Sequence, residues 1–134
     1  MAARHLGFTG TRKGMTRMQA ETLGAILENR GGTLHHGGAL GADTEAAMIA
    51  EDHGVQIEVH LPTGHRSKDY FARNRVIVDA CEELLAAPAG MEEELRSGTW
   101  ATIRYARKAR RMVTIIWPDG SVSHDPSWRP QSRS

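Results

Sequence analysis

The sequence has a single cysteine, few aromatic residues and no long hydrophobic run. Because Cys81 stands alone, no disulfide can form within the chain, which fits a reducing compartment. No apolar stretch approaches the roughly 18 residues needed to span a bilayer, and the first residues lack the apolar core of a secretory signal. The net charge of +1 provides no general attraction to nucleic acid or to a membrane surface. We therefore expect a cytoplasmic protein without membrane association.

The remaining composition is that of one compact domain. Of the 134 residues, 40% are apolar and 25% are charged, which is enough for one hydrophobic core. The end of the chain differs, since three of the five prolines lie in its last 17 residues. We expect a folded domain over residues 1–125 and a flexible tail over residues 126–134.

Short apolar segments bounded by glycine alternate with segments of helical periodicity. The first helix is predicted to begin at Thr16, where Thr16 and Gln19 have the spacing of a capping box, and to end before Gly31. The other predicted helices span residues 41–53, 70–81 and 99–109. Strands are predicted over residues 4–9, 33–36, 55–61, 83–87 and 112–117.

This order of elements predicts an α/β fold. Right-handed crossovers would give a three-layer sandwich, in which a mainly parallel five-stranded sheet is covered by helices on both faces. The turn over residues 118–121 predicts one further strand, a short antiparallel edge strand around Val122.

Three glycine-containing junctions lie between predicted strands and helices. They are Thr9-Gly10-Thr11-Arg12, the segment 37–43 (GGALGAD) and Ser97-Gly98-Thr99. Each can direct backbone N–H groups and the positive end of a helix toward the carboxyl edge of the sheet, which favours a phosphate. Glycines are also common at such junctions for structural reasons, and Asp43 and Ser97 are good helix N-caps. The chain has neither a P-loop motif nor a G-x-G-x-x-G dinucleotide motif.

The segment 37–43 resembles the GGA-x-G-x-D motif of the SLOG superfamily of Rossmann-like nucleotide-binding domains. Residues 7–12 (GFTGTR), Arg73-Asn74-Arg75 and Ser97-Gly98-Thr99 follow the order of that superfamily's other motifs, with Arg73-Asn74-Arg75 opening the third helix. The resemblance covers residues 4–117. It implies a nucleotide, or a small molecule derived from one, in a crevice at the carboxyl ends of the strands. The role implied is that of a sensor, carrier or sequestering protein that forms a homo-oligomer.

The resemblance also implies which residues bind this ligand. They are grouped as one wall (Thr9, Gly10, Thr11 and Arg12), a floor (Gly38, Ala39, Gly41 and Asp43), a second phosphate site (Ser97, Gly98 and Thr99) and one side (Arg73, as a phosphate ligand, and Asn74). We expect no cofactor.

Two other functions are weighed against this one. The lonely-guy phosphoribohydrolases of the superfamily carry P-G-G-x-G-T-x-x-E, whereas residues 96–102 read RSGTWAT, so that Thr102 replaces the glutamate. For such a hydrolase, Asp43 is the candidate catalytic residue, with the run 92–94 (EEE) as a further source of carboxylates. Five cations within residues 104–111 are the only feature that suggests single-stranded nucleic acid, and they also complement the end of a helix.

We expect no metal site from the histidines. His35 and His36 are adjacent on a predicted strand and point to opposite faces, and His60 and His65 show no metal-ligand spacing relative to them. His36 or His60 could instead contact the base or ribose of a ligand.

Overall fold

The computed structural model describes residues 4–125, which form six strands and four helices. The strands are β1 (His5–Gly10), β2 (Thr33–His36), β3 (Gln56–Val59), β4 (Glu83–Ala87), β5 (Met112–Ile116) and β6 (Val122–Asp125). The helices are α1 (Arg17–Arg30), α2 (Ala42–Asp52), α3 (Ser67–Ala80) and α4 (Gly98–Lys108). The predicted tail over residues 126–134 lies outside the described residues. Among the described helices, none has the length and apolar character needed to cross a membrane.

All six strands belong to one sheet in the order β3-β2-β1-β4-β5-β6. Strands β1 to β5 are parallel, and β6 pairs antiparallel with β5 through Ile116 and Val122. The predicted α/β fold, with five parallel strands and an antiparallel edge strand, is confirmed. From β1 the chain adds β2 and then β3 on one side of the sheet. It then returns to add β4 on the other side of β1. The carboxyl ends of β1 and β4 therefore flank the point where strand order reverses, which is where open α/β sheets bind ligands.

Strand β4 shows how one sheet supports two cores. All five of its residues are buried, and their side chains alternate between the faces of the sheet. Leu85 and Ala87 join a cluster with α1 and α2, whereas Leu84 and Ala86 join a cluster with α3 and α4. Helices thus cover both faces, and the weak strand propensity of this segment is overridden by its central position.

The capping box of α1 is present and also connects the helix to the sheet. Thr16 Oγ1 accepts from the Gln19 N–H at 3.0 Å, and Gln19 Oε1 accepts from the Thr16 N–H at 2.9 Å. The Gln19 amide is 1% exposed, and its Nε2 donates to the carbonyls of Pro88 and Ile116, at 2.9 Å each. Gln19 therefore fixes the start of α1 to the chain just beyond β4 and to the end of β5.

The predicted boundaries of two elements are wrong. Helix α3 begins at Ser67, three residues before the predicted start, because the Arg66 N–H is satisfied by the Asp69 carboxylate at 3.1 Å. Arg73-Asn74-Arg75 consequently lies within the helix and does not open it. Strand β3 is shorter than predicted at both ends. The Val55 N–H donates to Ala50 in α2 and not to the sheet, and β3 ends at Val59, which pairs with the last residue of β2, His36.

Cys81 is buried between β1 and the second core, as expected for a structural cysteine. Burial raises the pKa of its thiol to about 12. We predict that the folded protein resists alkylation by iodoacetamide at about pH 8, because the reactive thiolate is almost absent there. Mass spectrometry should find one modified cysteine only after guanidinium unfolding. Fast labelling of the native chain would contradict this burial.

Candidate functional site

A crevice of about 390 Å³ opens at the carboxyl ends of β1 and β4. Three chain segments meet there: the loop after β1, the loop leading into α2, and the start of α4. The middle of α3 closes one side. The structure brings together all of the predicted binding residues except two, namely Thr9, Gly10, Thr11, Arg12, Ala39, Asp43, Arg73, Asn74, Ser97, Gly98 and Thr99.

Gly38 and Gly41 are the two predicted binding residues that do not line the crevice. The Gly38 N–H donates to His36 Nδ1 at 3.0 Å, and a side chain at Gly38 would point toward Val59 and Leu61. Gly41 has φ +86° and lies against the backbone of Thr11 and Arg12. These two glycines shape the loop from behind, and their predicted contact with a ligand stays a prediction.

Asp43 holds the glycine-rich loop before α2. Its carboxylate Oδ2 accepts from the N–H groups of Gly37 at 3.1 Å and of Ala39 at 3.2 Å. The side chain is 7% exposed. Burial raises the pKa of Asp43, and the two N–H donors, followed by the Arg73 and Arg12 charges, act in the opposite direction. The N–H groups of Gly37, Gly38 and Ala39, the first three residues of this loop, all donate to protein atoms, so these three amides are not unpaired as expected.

The loop after β1 is held in a similar way. The Thr11 N–H donates to Ala87 O at the end of β4, and the Thr11 carbonyl accepts from the Ala42 N–H at the start of α2, at 3.0 Å each. A side chain at Gly10 would come within 2.6 Å of the Ala42 methyl group. Glycine is thus required here for the packing of β1 against α2.

The start of α4 differs from the other two segments. Ser97 caps the helix by accepting from the Trp100 N–H at 3.2 Å. Within residues 4–125, no protein acceptor is found for the N–H groups of Gly98 and Thr99. A side chain at Gly98 would meet no atom within 4 Å. This helix terminus therefore offers backbone donors to an anion.

Two arginines of the crevice lie beside the ring of Tyr70. The guanidinium of Arg12 lies 5.4 Å and that of Arg73 lies 5.8 Å from the centre of the Tyr70 ring. Arg73 is buried and already donates to protein atoms: through Nη1 to the carbonyls of Gly37 and His60, and through Nε to Asn74 Oδ1. Arg12 is the more available of the two charges.

Sequence reasoning missed several lining residues. They are Lys13, Ser67, Tyr70, Phe71, Ala89 and Glu94. Lys13 could have been predicted from the sequence, because it directly follows Arg12 in the loop after β1. Ser67 could not, since the predicted start of α3 at Tyr70 left Ser67 outside it. Glu94 is the member of the acidic run 92–94 that reaches the crevice, whereas Glu93 pairs with Arg104 at 2.6 Å.

The remaining candidate residues lie elsewhere. Neither His36 nor His60 lines the crevice. In the basic run 104–111, Arg104 pairs with Glu93, Arg107 stacks on Trp100, and Arg111 donates to backbone carbonyls in the last turn of α3. These contacts favour the structural explanation of the cations over nucleic-acid binding.

Comparison with known proteins identifies the fold of this chain but not its function. No family model and no curated protein matches the chain. Among solved structures, DNA processing protein A (DprA) from Streptococcus pneumoniae matches 84% of this chain with a TM-score of 0.70 and 21% identity. The chain spans half of the DprA chain.

Two further structures match over a similar range. The molybdenum cofactor carrier protein from Chlamydomonas reinhardtii gives a TM-score of 0.63 at 27% identity, over 84% of this chain and 76% of the carrier. The structural genomics target TM1055 gives a TM-score of 0.60 at 16% identity, over 82% of this chain and 72% of its own. All three structures belong to the SLOG superfamily.

The contact between Gly41 and the loop after β1 can be tested by substitution. Gly41→Ala would place a methyl group on the carbonyls of Thr11 and Arg12, whereas Gly54→Ala, also at positive φ (+72°), would meet nothing within 4 Å. We predict that Gly54→Ala lowers the free energy of unfolding by about 1 kcal/mol and that Gly41→Ala lowers it clearly more. Urea unfolding measures both. Equal losses would mean that the two loops are not in contact.

Proposed function

We propose that this chain, which has the Rossmann-like fold of the SLOG superfamily, binds a nucleotide or a nucleotide-derived small molecule in the crevice between β1 and β4. It would act as a sensor, carrier or sequestering protein. The single observation that carries the proposal is the pair of unpartnered N–H groups at Gly98 and Thr99, which line the same crevice as Arg12 and Lys13. Open helix N-termini with nearby cations are the usual binding sites of phosphate groups.

The crevice also suits the remainder of such a ligand. Its volume of about 390 Å³ falls in the range of small-molecule sites. Phe71, on the α3 side, is 41% exposed and offers an aromatic surface to a base. The hydroxyls of Thr9, Thr11 and Thr99 line the same space and supply hydrogen bonds for a ribose or phosphate.

The similar structures are compatible with this role. One is a molybdenum cofactor carrier protein and another a DNA processing protein. The carrier supports a small-molecule ligand for the fold. Single-stranded nucleic-acid binding and the formation of a homo-oligomer both stay predictions, and so does a cytoplasmic location.

Arg12→Ala tests the phosphate site. We predict that the wild-type chain binds nucleoside monophosphates in isothermal titration calorimetry and that Arg12→Ala weakens the tightest of them at least about tenfold, because a charge-assisted hydrogen bond is lost. Arg17→Ala is the matched control. It removes one positive charge from an exposed side chain that pairs with Glu21, away from the crevice.

Two results would contradict the proposal. One is the absence of binding by any common nucleoside monophosphate, diphosphate or triphosphate, together with no small molecule in the mass spectrum of the purified protein. The other is an equal effect of the two arginine substitutions, which would indicate general attraction by charge.

Hydrolysis of a nucleotide remains the alternative function, with a candidate catalytic residue other than Asp43. The Asp43 carboxylate already accepts hydrogen bonds from two backbone amides, whereas Glu94 is exposed and lines the crevice near the start of α4. Thr102, at the position of the hydrolase glutamate, donates to the Gly98 carbonyl within α4. Any carboxylate that stabilises an oxocarbenium-like centre here is therefore Glu94.

Chromatography of free base released from nucleoside monophosphates distinguishes binding from hydrolysis. If the chain is a hydrolase, Glu94→Gln should reduce base release at least about a hundredfold, and Glu92→Gln, in the same acidic run but outside the crevice, should not. Absence of base release from the wild-type protein, with nucleotide binding intact, would reject the hydrolase and keep the carrier or sensor.

A further inference from the structure

A second group of polar side chains lies on the α3 face of the sheet, outside the crevice. His35 of β2 is directly opposite Glu58 of β3 in the parallel register, and His60 follows two residues after Glu58. Residues two apart on an extended chain point to the same side, so Glu58 and His60 both face His35. His5 of β1 continues the row on the other side of His35.

The ring nitrogens of these residues lie close together. His35 Nδ1 is 2.9 Å from His60 Nε2, and His60 Nε2 is 3.7 Å from the nearer Glu58 carboxylate oxygen. The three ligand atoms all lie within 4.8 Å of one another. Atoms that coordinate one tetrahedral Zn²⁺ ion through nitrogen are about 3.3 Å apart, given Zn–N bonds of about 2.0–2.1 Å. These two separations lie on either side of this value, and the third pair, His35 with Glu58, lies within 4.8 Å, so movement of the side chains would bring the three atoms around one ion.

We propose that His35, Glu58 and His60 form a binding site for a divalent transition-metal ion, with Zn²⁺ as the first candidate. Two imidazoles and one carboxylate are a donor set that Zn²⁺ and its neighbours in the first transition row prefer over Mg²⁺ or Ca²⁺. The inference does not depend on the proposed nucleotide function, because none of the three residues lines the crevice.

His5 supplies the outer contact that metal-bound histidines usually have. When His35 binds an ion through Nδ1, its proton resides on Nε2, and this atom lies 2.9 Å from His5 Nδ1. The Nε2–H group can then donate to His5, which fixes the ring orientation of His35. The exposed side chain of Glu58 provides access from solvent, while buried His35 forms the inner end of the site. An ion here would connect the edge strand β3 to β2.

The alternative is a row of neutral histidines that only hydrogen-bond to one another. Zinc titration of tag-free, chelator-treated protein, in competition with a chromophoric chelator, separates the two explanations. We expect one Zn²⁺ per chain, and at least about tenfold weaker binding in Glu58→Gln and in His60→Ala. His65→Ala, in the exposed loop before α3, is the matched control and should bind as the wild type does. Cobalt substitution should give visible d–d absorption in the wild type and lose it in both site variants.

Circular dichroism establishes which variants are folded. Glu58 is exposed at the sheet edge, so Glu58→Gln provides the decisive comparison if His60→Ala does not fold. The proposal is overturned if Glu58→Gln binds Zn²⁺ as tightly as the wild type, if His65→Ala weakens binding equally, or if the wild type binds no Zn²⁺ at micromolar concentration.

Discussion

The hydrogen bonds from Gly37 and Ala39 to the buried Asp43 carboxylate hold the glycine-rich loop before α2, one of the segments that form the crevice. They join the end of β2 to the first turn of α2, and Arg73 adds a donor to the Gly37 carbonyl from the opposite helix. An unpaired carboxylate would be costly at this depth, so its two N–H donors and the nearby guanidinium groups are needed for it to remain there. The loop is consequently rigid before any ligand arrives, which favours binding without reorganisation.

A loop that satisfies its own amides cannot also bind a phosphate with them. The N–H groups of Gly98 and Thr99 at the start of α4 have no such protein acceptor among the described residues, and Arg12 and Lys13 line the same crevice. The motif that most clearly marks the superfamily would thus serve as a scaffold in this chain, and the less distinctive Ser97-Gly98-Thr99 segment would contact the anion. This division of roles also explains why Asp43 is a poor choice for a catalytic group.

Much of the fold could be predicted from the sequence, because its signals are local. The capping box at Thr16 and the glycines after α1 marked the helix limits, and alternating strands and helices indicated a parallel sheet. The convergence of loops on one crevice followed from the fold, and most lining residues were identified. The hydrogen bonds of individual groups could not be predicted. Those from the Gly37 and Ala39 amides to the Asp43 carboxylate depend on a turn geometry that sequence spacing does not determine. The histidine row was missed because its members lie on β1, on β2 and directly after β3, and their proximity depends on the register between β2 and β3.

Backbone amide shifts in a titration followed by ¹⁵N NMR test the central claim most directly. With a nucleoside monophosphate as the added ligand, the account predicts that the amide signals of Gly98 and Thr99 move most, while those of Gly37 and Ala39, already bonded to Asp43, move little. The largest shifts at Gly37 and Ala39, with Gly98 and Thr99 unchanged, would contradict it.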